Sequence, residues 1–161
     1  MANKRINPRH IIVDKRNINL DEVVDEAMKD DMRHAKLLVG NALLDQEQMG
    51  LDEIKNLMDA CGEFDATERN IRYAERLMGI KKRPQVSLDS VSTAADLKKL
   101  KANMEKLALH TALCSICLSL REKGFSEERL SRIFLAVDVT RAEIESGKDG
   151  YEKLERRMEN E

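Results

Sequence analysis

The sequence predicts an all-α protein, a helical bundle of five to six helices. Apolar residues recur in steps of three and four along most of the chain, which places them on one face of a helix. Hydrophobic residues make up 42% and charged residues 36% of the 161 positions, with 2 prolines, a composition typical of helical proteins. Helix-capping residues and glycines stand at the ends of the periodic segments.

Three helices are predicted before residue 80. Each begins at a capping residue and ends at or before a glycine, and their expected limits are Asn19 to about Gln48, Asp52 to Gly62, and Thr67 to Gly79. The segment 80–92 has no helical period and contains Pro84. We interpret it as a linker between two helical halves.

The longest predicted helix runs from Thr93 to Gly124. Its apolar stripe continues from Leu97 to Leu118, and the segment from Leu107 to Leu120 is apolar on nearly every side. Such a segment must be covered by other helices, so we expect it to be buried. Gly124 can adopt the left-handed conformation that ends a helix, and Ser126 can cap the next one. That helix is interrupted by glycines at 147 and 150, and a short last helix follows.

The chain divides into four expected parts: a basic arm at 1–17, an acidic helical half at 18–79, the linker at 80–92, and a second helical half at 93–161. A shift of 76 residues aligns His34 with His110 and Leu44 with Leu120. The two halves could therefore be related helix–corner–helix units. Chance agreement between amphipathic helices is the alternative.

Charge is distributed unevenly, although the net charge is only −2. Residues 18–79 carry seven basic and fifteen acidic side chains, a net charge of −8. An acidic helical surface could cover a basic surface of a partner and steer its association. The predicted partner-binding residues are Asp21, Glu22, Asp25, Glu26, Asp30, Asp31, Lys81, Lys82 and Arg83.

Histidine and cysteine residues raise the question of a metal site. His110, Cys114 and Cys117 share one helix face, and Cys61 and His34 could approach them. However, the Cys-X-X-Cys spacing lies inside the most apolar segment, where cysteine behaves as a small hydrophobic residue. We therefore predict that these side chains pack in the core, with no metal, no cofactor and no catalytic residue. A carboxylate–histidine hydrolase built on Asp30, Asp31 and His34 has little support.

Three cysteines, no leader segment and no apolar run of about 20 residues favour a cytoplasmic protein. A DNA-binding regulator is the alternative function. Ser126 to Leu130 and Ile144 to Lys148 resemble pieces of a helix-turn-helix repressor. The residues that would contact DNA are Arg129, Arg132, Arg141 and Lys148. Nearby acidic residues, such as Glu143, would repel phosphates.

The last third of the chain resembles a group of small, uncharacterised helical proteins of phages and mobile elements in Firmicutes. The residues that carry this resemblance are Gly124-Phe125, Arg129-Leu130, Gly147 and the acidic end from Glu155 to Glu161. Ser126 stands where that pattern has a second glycine. The resemblance implies a phage or mobile-element context and no particular activity.

These observations favour a non-enzymatic binding protein. In a phage context, we expect a bacterial host protein as the partner, with inhibition of a defence or regulatory system as one outcome. We also expect the chain to form a homo-oligomer, with a dimer favoured. The two halves could pack together within one chain or pair between subunits through the 97–118 stripe.

Overall fold

The computed structural model describes residues 22, 30–62, 64–65, 67–87, 91–147 and 150–160. Within these residues the all-α prediction is confirmed, because they form six helices and no strand. The helices are α1 (Asp31–Gln46), α2 (Leu51–Asp59), α3 (Glu68–Met78), α4 (Ala94–Glu122), α5 (Glu127–Glu145) and α6 (Gly150–Asn160).

The helix α1 lies at the centre of the packing. It contacts α2, α4, α5 and α6, while α3 packs against α4 and α5. One core therefore draws on helices before and after the expected linker. Its largest fully buried side chains include Leu38, Leu43, Ile54, Leu113, Ile116, Leu120 and Phe134.

The predicted burial of the apolar segment of α4 is confirmed. Every residue from Ala112 to Leu120 is buried, as are Ala108 and His110. The start of this helix is also as predicted, because the Thr93 hydroxyl accepts a hydrogen bond from the Asp96 backbone N–H at 3.2 Å. In return, the Asp96 carboxylate accepts from the Thr93 N–H at 3.1 Å, which completes a capping box.

The corner between α4 and α5 follows the predicted geometry. Gly124 has a φ of +100°, a left-handed conformation that a residue without Cβ adopts without strain. The Phe125 N–H donates to the Leu120 carbonyl oxygen at 3.1 Å. The Ser126 hydroxyl then accepts from the Arg129 N–H at 3.2 Å and caps α5.

The first two helices differ from the prediction at their starts. Asp30, with a φ of −116° and a ψ of 6°, is not helical, so it interrupts the single long helix that was expected from Asn19, and α1 runs from Asp31 to Gln46, close to the expected end at about Gln48. The Asp31 carboxylate accepts from the Met32 N–H at 2.7 Å, one of the first-turn N–H groups that have no partner inside the helix. Gly50, and not Asp52, precedes the first residue of α2. The capping position predicted at Asn19 lies outside the described residues.

Gly40 marks a close approach of three helices. A Cβ placed on it would lie 3.1 Å from Met158 Cε of α6 and 3.3 Å from Ile54 Cγ2 of α2. The neighbouring Asn41 is only 2% exposed, and its amide donates to the Leu37 carbonyl oxygen at 2.9 Å. The backbone of α1 is therefore held near its neighbours because residue 40 has no side chain.

We predict that Gly40→Val lowers the free energy of unfolding by about 1–3 kcal/mol, because its added methyl groups would overpack this crossing. Gly62→Val is the matched control, since a Cβ at Gly62 meets nothing within 4 Å. Urea denaturation of both variants measures the difference. Equal stability of the two variants would show that the crossing has room for a side chain.

Candidate binding site

A depression of about 340 Å³ lies where α1, α4, α5 and α6 meet. The start of α1 contributes Asp30, Asp31 and His34, and α6 contributes Tyr151. The walls from α4 and α5 are formed by Ala102, Glu105, Lys106, Leu109, Arg141, Ile144 and Glu145. Four separate helices thus bring acidic, aromatic and aliphatic groups to one recess.

The aromatic wall consists of two stacked rings. The His34 and Tyr151 ring centroids are 3.7 Å apart, and the ring planes differ by 2°. Burial, followed by the nearby Arg33 guanidinium, lowers the pKa of His34 below its ordinary value. Burial raises the pKa of Tyr151. Both rings are therefore uncharged at neutral pH, and together they form a flat surface.

Among the described residues that line this recess, carboxylates outnumber cations. Its acidic residues are Asp30, Asp31, Glu105 and Glu145, against the cations Lys106 and Arg141. Arg141 lies 3.5 Å from the Asp138 carboxylate and Asp30 lies 3.4 Å from the Arg33 guanidinium, so one charge of each sign is already partly balanced. An aromatic ring beside carboxylates is an arrangement that attracts a guanidinium or ammonium group. The recess therefore suits a positively charged side chain.

Only part of the predicted acidic surface falls within the described residues. Asp30 and Asp31 lie at this depression, and Asp30 also pairs with Arg33 at 3.4 Å. Glu22 is exposed in a helical conformation. The remaining members of the predicted surface, Asp21, Asp25 and Glu26, lie outside the described residues.

The predicted basic patch after α3 has two different parts. Lys81 and Lys82 are exposed. Arg83 instead folds back onto α3, where its guanidinium lies 2.7 Å from a Glu75 carboxylate oxygen and 2.9 Å from one of Glu68. These hydrogen bonds raise the pKa of Arg83 above its ordinary value. The basic sequence pattern thus includes one residue that braces the fold internally.

Glu75, which pairs with Arg83, also forms a hydrogen bond with His110 in the core. His110 is 1% exposed, and its Nε2 lies 2.8 Å from a Glu75 carboxylate oxygen. The hydrogen bond from Arg83 lowers the pKa of Glu75. Burial lowers the pKa of His110 and outweighs the attraction of the Glu75 charge. A neutral imidazole therefore donates its Nε2–H to an ionised carboxylate.

The cysteines pack in the core as predicted. Cys114 and Cys117 are 2% and 0% exposed, and burial raises the pKa of each thiol to about 12. All three cysteines are free thiols. Within the described residues, no group of three His, Cys, Asp or Glu side chains is arranged to hold a metal ion.

Two serines of the apolar segment bind the loop after α2. The Ser115 hydroxyl accepts from the Phe64 N–H at 3.0 Å. The Ser119 hydroxyl donates to the Gly62 carbonyl oxygen at 3.2 Å. These polar side chains interrupt the apolar segment because they satisfy backbone groups of a distant loop.

The arginines of the DNA-binding alternative are distributed over two sides of α5. Arg129 and Arg132 both point to Glu47, at 3.2 and 3.7 Å, and the Arg129 guanidinium also lies 4.1 Å above the Phe125 ring. Arg141 lines the acidic depression. Lys148, the fourth predicted residue, lies outside the described residues.

Comparison with known proteins places the chain in no group. No family model matches it, and neither the curated proteins nor the solved structures contain a match. Among the helices of the described residues, none combines the length and the apolar composition needed to cross a lipid bilayer. Function must therefore be inferred from the chemistry of the surface.

We predict that His110 destabilises the fold in mild acid. Its pKa is lowered by folding, so its contribution to stability is complete above the ordinary histidine pKa of about 6.5 and is lost as the pH falls below it. His110→Gln keeps an N–H donor but cannot titrate in this range. Its free energy of unfolding should fall less than that of the wild type between about pH 7.5 and about pH 5.5.

His34→Gln provides the control, because the pKa of His34 is also lowered and both histidines act in the same direction. This variant should keep the part of the pH dependence that belongs to His110. Urea denaturation at each pH measures the effect. Identical pH profiles for wild type and His110→Gln would contradict the prediction.

Proposed function

We propose that this chain is a non-enzymatic binding protein that takes a basic segment of a partner protein into the acidic depression. The observation that carries the proposal is the surplus of carboxylates, among the residues that the structure describes, around the stacked His34 and Tyr151 rings. The burial of the cysteine thiols and of His110 in the core also supports a binding role. Recognition requires only that a cation reach the depression.

The electrostatic field would assist this recognition. The net charge of −8 in residues 18–79 lies on the part of the chain that contributes Asp30 and Asp31 to the depression. Complementary charge raises association rates, and its effect decreases as salt screens it. Binding of a basic segment is therefore expected to weaken with rising ionic strength.

The partner class that we propose is a nucleic-acid-binding protein of a bacterial host. Surfaces that bind nucleic acid are rich in lysine and arginine because they contact phosphates. An acidic protein that occupies such a surface would inhibit its target by occlusion. The resemblance of the last third of the chain to phage and mobile-element proteins supports a role against a host defence or regulatory system, and the cytoplasm as the place of action.

DNA binding through Arg129, Arg132, Arg141 and Lys148 is the second hypothesis. Its support is the sequence resemblance to a helix-turn-helix, while the ion pair of Arg129 with Glu47, at 3.2 Å, competes with phosphate contacts. Titration of a labelled DNA duplex in a salt series distinguishes the two hypotheses. A steep salt dependence of measurable binding would favour DNA.

We predict that an arginine-rich peptide binds the wild-type chain and that the triple variant Asp30→Lys, Glu105→Lys and Glu145→Lys weakens this binding at least tenfold, which is about 1.4 kcal/mol. All three side chains line the depression. Fluorescence anisotropy with a labelled peptide measures the affinity. Capture from a bacterial lysate with the same variants then identifies the natural partner.

The control is Glu53→Lys, Asp59→Lys and Glu159→Lys, a set of exposed residues with the same change in net charge. It should bind the peptide within about threefold of the wild type if the depression, and not overall charge, is responsible. Equal weakening by both triple variants would exclude the depression as the binding site.

A further inference from the structure

A second surface is centred on two residues of α5, Leu135 and Val139, that do not line the acidic depression. Leu135 and Val139 are 66% and 55% exposed, and they are the exposed large hydrophobic residues of the described part of the chain. They are four positions apart in a helix, so their side chains are neighbours on one ridge. Two such neighbours form a small exposed apolar patch, which is a candidate contact surface for another molecule.

Charged residues flank this ridge with opposite signs. Arg132 lies one turn before Leu135, and Glu143 lies one turn after Val139. Along about 16 Å of the helix, the ridge therefore carries a basic residue, two apolar residues and an acidic residue, in that order. Both charged side chains are exposed. The ion pair of Arg132 with Glu47 is long, at 3.7 Å, and the Arg132 side chain is 60% exposed, so it competes little with a new partner.

This order of residues is complementary to itself when reversed. Leu135 and Val139 lie two positions on either side of Val137, and Arg132 and Glu143 lie five and six positions from it. If two copies of α5 pack antiparallel with the two-fold axis midway between Leu135 and Val139, Leu135 faces Val139 of the other copy and Arg132 faces Glu143. Two Leu135–Val139 contacts and two Arg132–Glu143 ion pairs then form in the same interface. A two-fold interface requires such duplicated contacts.

The shape of the surface suits the same arrangement. A recess of about 580 Å³ lies beside the ridge, between α5 and the helices α1 and α6. Ala136, Thr140 and Leu154 form part of its wall, and the paired Asp45 and Arg157 side chains line it as well. A two-fold interface needs a protrusion and a recess on the same patch, so that each copy fills the recess of the other.

We propose that this chain forms a two-fold dimer in which α5 packs antiparallel against α5 of a second copy. The contact centres on Leu135 and Val139, and Arg132 of each copy pairs with Glu143 of the other. The apolar contact is small, so the dimer belongs to the weak class of interfaces and dissociates on dilution. This proposal does not depend on the acidic depression, which neither Leu135 nor Val139 lines.

Charge exchange between the two ends of the ridge tests the pairing. Arg132→Glu and Glu143→Arg each place like charges together twice in the dimer, and we expect each to raise the dimer dissociation constant at least tenfold. An equimolar mixture of the two variants restores both opposite-charge contacts. We expect the mixture to dimerise within about threefold of the wild type, as measured by sedimentation equilibrium over a concentration series.

Two further variants complete the experiment. Leu135→Lys should abolish dimerisation while the thermal unfolding midpoint remains close to that of the wild type, since this side chain is exposed. Lys99→Glu changes the same charge as Arg132→Glu at an exposed site on α4, and it should leave the dimer unchanged.

A wild-type chain that stays monomeric at the highest concentration would overturn the proposal. So would single charge variants that dimerise as well as the wild type, or a mixture that fails to recover, because either result excludes antiparallel pairing at this ridge. The arginine-rich peptide distinguishes this surface from the acidic depression. Leu135→Lys should still bind the peptide, whichever way the dimer experiment ends.

Discussion

Burial of the apolar segment of α4 is the constraint on which the rest of the structure depends. From residue 107 to 120 this helix carries apolar side chains in nearly every direction, and each large one contributes about 1.5–3 kcal/mol when removed from water. A single neighbouring helix could cover only one side. The helices α1, α3 and α5 all pack against α4, and the chain therefore forms one core from segments that are far apart in sequence.

Burial of this segment also requires that the polar atoms inside the core have hydrogen-bond partners. His110, Ser115 and Ser119 are buried, and each has a hydrogen-bond partner on another element: Glu75 for the imidazole, and the loop after α2 for the two hydroxyls. An unpaired polar group at these positions would oppose burial of the whole segment. These contacts thus determine where α3 and the preceding loop lie against α4.

Local signals made most of the fold predictable, whereas distant partners left no signal in the sequence. The caps at Thr67, Thr93 and Ser126 act within three residues, so a single sequence contains all that is needed to recognise them. Glu75 and His110 are 35 positions apart, and only the packed structure reveals their pairing. Gly40 was an available signal, since a glycine inside a helical pattern commonly marks a close helix crossing.

The candidate binding site, like the fold, was predictable from the sequence only where its residues are neighbours in the chain. The adjacent carboxylates Asp30 and Asp31 are visible in the sequence as a charged pair, but the stack of His34 on Tyr151 depends on how α6 returns to α1. Similarly, a basic run such as Lys81 to Arg83 suggests a surface patch, although Arg83 binds Glu75 and Glu68. Composition indicates which charges exist, and packing decides which of them remain available to a partner.

The three free thiols have a consequence for the chemistry of this protein in an oxidising cell. Alkylating agents and peroxides react with the thiolate form of cysteine, and at Cys114 and Cys117 that form is scarce while the helices remain assembled. Damage at these sulfurs must wait until the core opens. The rate at which a thiol reagent modifies them would therefore report how often the core around these two residues opens.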